Sequence, residues 1–188
     1  MDTNLLDKPL ISSEEEMIIH LKSRDVDFKL HNPIISNESA TFICYNLSGQ
    51  IVGWQRYSPN RKSLCSNDPE GRYYSYRSPS HISIFGLETY SLNSKCIFVT
   101  EGIFDCTRLT KRGATAFALL TNSPNSSMLN FLACLPQNII AICDNDKGGE
   151  FLKKSLQNIT SKFIVPRAKD LGEETTDFVE DLITKYNK

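Results

Sequence analysis

Beyond residue 94 the chain alternates between short apolar runs and helical segments, a rhythm that few folds can accommodate. KCIFVT reads as a strand, and GIFDCTRLTKR as a helix ending at Gly113. ATAFALL and SSMLNFLACL repeat the pair, then NIIAICD and KGGEFLKKSLQN, and KFIV is a fourth strand stopped by Pro166. TTDFVEDLITKY closes the series, with Phe178, Val179, Leu182, Ile183 and Tyr186 on one helical face. Strands alternating with helices of about ten residues imply a parallel sheet with helices on both faces. The expected class is therefore α/β, with a compact Rossmann-like sheet.

The first half has a different rhythm. Ser12 or Ser13 followed by Glu15 or Glu16 forms a capping box, opening a helix with Met17, Ile18 and Leu21 on one face and ending near Arg24. ATFICYNL, the turn residues Ser48 and Gly49, and QIVGWQRY predict a β-hairpin. Residues 58–71 read as a loop, and RYYSYR and HISIFGL as further short strands. The expected layout is a small, mainly β (α+β) N-terminal subdomain over 1–93 and an α/β domain over 94–188.

Apolar residues at 40% and charged residues at 23% suit a soluble globular protein, and the net charge of -1 supplies no global attraction to nucleic acid. Any such binding must come from a local patch. Six cysteines without a CxxC pair, several inside apolar runs, predict buried free thiols in a reducing compartment. The start MDTNLLDKPLISSEEEM is too acidic for a signal peptide, and no run approaches the roughly 18 apolar residues of a membrane span. A cytoplasmic protein without membrane association is expected. His20, His31 and His81 have no spacing that implies ligation, and read as incidental.

Acidic residues fall where an open parallel sheet gathers its chemistry, at the carboxyl ends of strands. Glu101 follows CIFVT, Asp144 ends NIIAIC, and Asp146 lies two residues on, so an extended backbone can aim both aspartates the same way. Three carboxylates without a neighbouring His or Cys select Mg²⁺ or Mn²⁺ over zinc. Singly, a DxD is usually a solvated turn and a strand-end Glu a helix cap; together with Lys147, Gly148 and Gly149 opening the next helix, they favour a metal and phosphate site. The two glycines fit either close approach of backbone to a phosphate or a tight strand-to-helix turn.

EGIFDCTRLTKRGATAFALLTN, AICDNDKGGEFLKKSL and VPRAKDLGEETTDFV resemble the Toprim domain of bacterial-type primases, topoisomerases, OLD-type nucleases and recombination-repair proteins, over about 94–182. The resemblance puts the family's Glu on Glu101 and its DxD on Asp144 and Asp146, with Asp105 and Asp170 as further metal-site acids and Lys169 as a phosphate contact. The motif around Asp170 departs from the family's in having Leu171 for proline and Gly172 for a second acid. YNLSGQIVGWQRYSPN and RYYSYRSPSHISIFGLETY extend the likeness, over roughly 40–182, to the catalytic core of bacterial and phage-type (DnaG-like) DNA primases.

That resemblance implies a minimal phage- or plasmid-type primase, joining NTPs into short RNA primers on single-stranded DNA by Mg²⁺-dependent (or Mn²⁺-dependent) nucleotidyl transfer, with a replicative helicase as a possible partner. Arg56, Arg61, Lys62, Arg72 and Arg77, interleaved with Trp54, Tyr57, Tyr73, Tyr74 and Tyr76, suit a single-stranded template. As alternate aromatics of a strand, Trp54 and Tyr74 are expected in the core. Two alternatives use the same residues: a metal-dependent endonuclease or nickase, in which the carboxylates activate water, and a non-catalytic nucleic-acid-binding replication module.

Overall fold

The capping box forms as read. In α1 (Glu14–Ser23) the Ser13 hydroxyl accepts from the Glu16 N–H at 3.2 Å, and the Glu16 carboxylate accepts from the Ser12 N–H at 2.7 Å. Such a cap is worth about 1 kcal/mol. It fixes the rotation of a helix that buries Met17 and Leu21 and ends at Arg24. The computed structural model describes residues 10–65 and 67–187, so the first nine residues of the acidic start lie outside the described residues.

Two elements escaped the sequence because each spans only about one period, too few residues to show a repeat. α2 (Phe28–His31) is one turn, capped by Asp27 and stopped by Asn32 in the left-handed region at φ 38°. β1 (Ile34–Ile35) is two residues. His31 is not incidental: it is buried, with Nδ1 2.8 Å from the Glu88 carboxylate and Nε2 2.8 Å from the Thr110 hydroxyl, and so ties α2 to the second half of the chain.

β2 (Ala40–Tyr45) and β3 (Ile51–Tyr57) make the expected hairpin, in register Ile43 opposite Trp54. The turn is held by the Asn46 side-chain oxygen, which accepts from the Ser48 and Gln50 N–H groups. β4 (Tyr73–Arg77) completes an antiparallel sheet of order β1-β2-β3-β4. HISIFGL forms no strand. Phe85 makes one antiparallel bridge to Ala118, then Gly86 turns the chain at φ +93°, a conformation other residues rarely adopt, into a 3-10 turn at Leu87–Thr89.

The second sheet is parallel, of order β6-β5-β7-β8, from β5 (Cys96–Thr100), β6 (Ala116–Ala118), β7 (Asn138–Ile142) and β8 (Phe163–Ile164). Alternate residues of its strands supply two cores. Phe98, Ala116 and Ile140 pack with α3 (Ile103–Thr110), α6 (Thr176–Asn187) and the inward residues Phe42, Val52 and Tyr57 of the first sheet. Ile97, Phe117 and Ala141 pack with α4 (Ser126–Ala133) and α5 (Lys147–Leu156). Each fully buried Phe or Ile in these layers contributes about 1.5–3 kcal/mol. The fold is thus mixed α/β, a helix-flanked four-stranded parallel sheet preceded by a four-stranded antiparallel one, as expected.

Among the described residues the cysteines are all free; Cys44, Cys96, Cys106 and Cys143 are buried, whereas Cys65 and, although in an apolar run, Cys134 are exposed. No helix of the described residues is long and apolar enough to cross a membrane.

Candidate active site

The parallel sheet brings four carboxyl-end loops to one edge. β5 and β7 are neighbours, and β6 and β8 lie outside them, so the chain reverses its direction of travel across the sheet between β5 and β7. A crevice forms there because the flanking crossovers leave on opposite faces. Glu101 leaves β5 and Asp144 follows β7 by two residues, so these carboxyls hang from adjacent strands.

Two groups of side chains line the crevice, each gathered around a glycine that leaves it room. A Cβ on Gly148 would meet Asp146 Oδ1 at 3.0 Å, Glu101 Oε2 at 3.4 Å and Asn122 Nδ2 at 3.4 Å. One on Gly172 would meet Asp170 Oδ1 at 3.0 Å, Asp105 Oδ1 at 3.6 Å and an Arg24 guanidinium nitrogen at 3.7 Å. Asp144 lies between the groups and interacts electrostatically with carboxyls of both.

Burial, followed by repulsion from neighbouring carboxylates, raises Glu101, Asp105 and Asp144. Glu101 is pushed up to about 7 by burial and by Asp144 and Asp146. Asp144 is pushed up to about 6 by burial, Asp170 and Asp146, against the pull of Lys169. Asp105, buried on α3, reaches about 8, through burial first and then Asp144 and Asp170, although the Gly172 N–H and Arg24 pull the other way. Three acids raised together at one sheet edge identify a candidate functional site.

The donor set is all oxygen and fits a hard divalent cation. Among the described residues no three His, Cys, Asp or Glu side chains already close into a ligand set. Two of the acids also have structural duties. Asp146 N-caps α5, accepting from the Gly149 N–H at 3.0 Å, and Asp170 caps the 3-10 turn Leu171–Glu173, accepting from the Glu173 N–H at 3.0 Å.

Gly149 answers the question its neighbour shares. A Cβ there would stand 1.9 Å from the Asp144 carbonyl oxygen, so a glycine is needed for the tight passage from strand to helix. Lys147 begins α5, and the Lys169 carbonyl accepts from the Asn145 N–H at 2.8 Å, fastening the loop after β8 to the DxD.

The cations of the first sheet and of the segment joining β3 to β4 are variously engaged. Arg56 donates to the Pro69 carbonyl. Arg61 pairs with Glu70 at 2.5 Å and Glu38 at 3.4 Å. Arg72 Nε donates to the Arg61 carbonyl at 3.2 Å while its residue stays exposed, as Lys62 does. Arg77 turns to the second sheet, donating to the Leu120 carbonyl at 2.7 Å. Trp54 and Tyr74 are not core residues. They are half-buried and stand with Tyr76, which is 51% exposed, on the face of the sheet turned away from both cores. Trp54 stacks on Tyr76 at 6.0 Å between ring centroids, and the Arg56 guanidinium lies 5.7 Å from the Tyr74 centroid.

Three crevice residues went unread in the sequence. Asn122 carries no motif. Arg24, whose guanidinium lies 3.9 Å from the Phe104 ring centroid, closes a helix far away in sequence. Arg108 is buried one helical turn beyond Asp105, and the i, i+3 spacing of an acid and an arginine on one helix was the one available signal.

No family model and no curated protein sequence matches the chain. Solved structures do. The primase fragment of the bacteriophage T7 primase-helicase protein aligns over 88% of this chain and 72% of its own, with a TM-score of 0.61 and 17% identity. A DnaG primase catalytic domain bound to ssDNA aligns over 94% of this chain and 60% of its own, at TM-score 0.58 and 16% identity. The E. coli primase catalytic core aligns over 82% and 51%, at TM-score 0.55 and 20% identity. This chain, which spans only part of each of those proteins, has the Toprim-containing fold of a DnaG-type primase catalytic core.

Proposed function

We propose that the protein is a metal-dependent nucleotidyltransferase, a primase that joins NTPs into short RNA primers on single-stranded DNA. The observation that carries this reading is the meeting of Glu101, Asp105, Asp144, Asp146 and Asp170 in one crevice of a primase-core fold. Glu101, Asp144 and Asp146 are the residues to hold Mg²⁺ or Mn²⁺, with Asp105 and Asp170 beside them. The raised proton affinities of Glu101, Asp105 and Asp144 support the fit, because a divalent cation relieves the repulsion among the carboxyls. When bound, such a cation supplies charge neutralisation at a triphosphate and Lewis acidity at the transferred phosphorus.

The chain's own groups account for the rest. Glu101 is the carboxylate suited to accept the proton of an attacking 3′-hydroxyl. Lys147 and Lys169, with the backbone at Gly148 and Gly149, flank the place for phosphates. Arg56 and Arg77 belong to the sheet that would carry template and Arg61, Lys62 and Arg72 to the segment joining β3 to β4, with Lys62 and Arg72 the exposed cations and Trp54, Tyr74 and Tyr76 the rings on which bases would stack. Single-stranded DNA is bound by one of the DnaG structures this chain resembles, and the T7 relative is part of a primase-helicase, which favours single-stranded DNA and a replicative helicase as partners.

The test uses Mg²⁺ or Mn²⁺ with two substrates in parallel: single-stranded template plus NTPs, and supercoiled plasmid without NTPs. Oligoribonucleotides that disappear in Asp144→Ala are the expected result. Nicked circles that disappear in the same variant would replace this reading with an endonuclease, and neither product would leave a binding module.

A further inference from the structure

Arg108 is buried on α3, three residues after Asp105, and faces the turn after β8 that begins at Asp170. Its guanidinium donates to three backbone carbonyls of that turn: Nη1 to Leu171 at 2.9 Å and Gly172 at 2.6 Å, and Nη2 to Glu174 at 2.6 Å. Its Nε makes no hydrogen bond but lies 3.6 Å from Asp25 Oδ2, and Asp25 also receives Lys111 at 2.9 Å and Arg112 at 3.0 Å. No acid of the crevice is paired with Arg108.

We propose that Arg108 is a positioning residue, which sets where Asp170 stands relative to Asp105 and Asp144. The inference rests on the metal-site reading above. One face of α3 grips the turn by both polarities: Arg108 donates to its carbonyls, while Asp105 takes the Gly172 N–H. The turn otherwise has reason to leave, because Asp170, Asp105 and Asp144 repel one another. A buried cation donating to backbone holds the acids in place without neutralising any of them, so their charge stays available to a cation from outside. The planar fork reaches the three carbonyls from two fixed nitrogens; lysine keeps the charge but donates from a single nitrogen and loses that geometry.

The experiment is Mn²⁺ titration by calorimetry on the whole chain, comparing unsubstituted protein with Arg108→Lys, Asp170→Asn, the double variant and Asp144→Ala. The expected result is saturable binding lost in Asp144→Ala and weakened about tenfold in Arg108→Lys, as for other groups that orient metal ligands. If Arg108 acts through Asp170, the double variant binds no more weakly than Asp170→Asn alone. Unchanged affinity in Arg108→Lys, or losses that simply add, would overturn the role of Arg108 and leave the metal site standing. Absence of Mn²⁺ binding by the unsubstituted chain would overturn both. Should Arg108→Lys not fold, hydrogen exchange on the unsubstituted protein decides: amides 171–174 exchanging as slowly as α3 support the clamp, and exchange at the rate of an open loop refutes it.

Discussion

Arg77, the last residue of β4, donates to the carbonyl of Leu120 at 2.7 Å, across the seam between the two sheets. Leu120 holds the left-handed conformation at φ 58°, which a leucine adopts only under constraint, and its N–H donates to the Glu101 carbonyl at 2.9 Å. The first sheet therefore braces the backbone beside the candidate metal ligand. Arg77→Met should lower unfolding free energy by about 1–3 kcal/mol in urea titrations, the cost of leaving such carbonyls without a donor. A loss confined to DNA affinity, with stability unchanged, would show that Arg77 serves phosphates instead.

The acids of the crevice set a pH dependence. Glu101, Asp105 and Asp144 keep their protons to about 7, 8 and 6 when folded, whereas in the unfolded chain they ionise in the ordinary carboxylate range. Metal-free stability from these groups is thus full below that range and is lost as pH rises through the folded values. The melting temperature without metal should fall between about pH 5 and pH 8, and Mg²⁺ should raise it most at the upper end. Asp144→Asn should flatten the slope. A melting temperature that climbs over the same interval would contradict the arrangement.

The paired glycines should separate folding from binding. Gly149→Ala drives a Cβ into backbone at 1.9 Å and should cost about 2–4 kcal/mol. Gly148→Ala meets only side-chain oxygens and an amide, and alanine improves helix propensity by about 1 kcal/mol. It should melt no lower than the parent yet bind Mn²⁺ more weakly, because its methyl sits between Glu101 and Asp146. Calorimetric titration after a thermal melt distinguishes the two.

Tyr76 tests the template surface. Removing its ring takes away a cross-strand partner of Trp54, worth less than about 1 kcal/mol to the fold. Base stacking is worth about 1–3 kcal/mol per base, so Tyr76→Ala should weaken single-stranded DNA binding about fivefold or more with an unchanged salt slope. Lys62→Ala or Arg72→Ala should instead flatten the slope of affinity against salt. Fluorescence anisotropy over a salt series reads both.

Much of this protein was legible in the chain because the responsible signals are local. The capping box at Ser13, the hairpin turn at Asn46–Gln50 and the strand-helix alternation after residue 94 each act within a few residues, where backbone preference and apolar period suffice. The places of Glu101 and Asp144 followed too, since strand ends of a parallel sheet share one edge. Tertiary structure alone decided the rest. Trp54 and Tyr74 point away from both cores because the single inward face of the first sheet is already occupied by α1 and the second sheet. His31, Arg77 and Arg108 found hydrogen-bond partners 43 to 79 residues away, and Arg24 reached Asp105 from another element. A buried charge is tolerable only where donors and acceptors from distant elements converge on it, and no local pattern records that convergence.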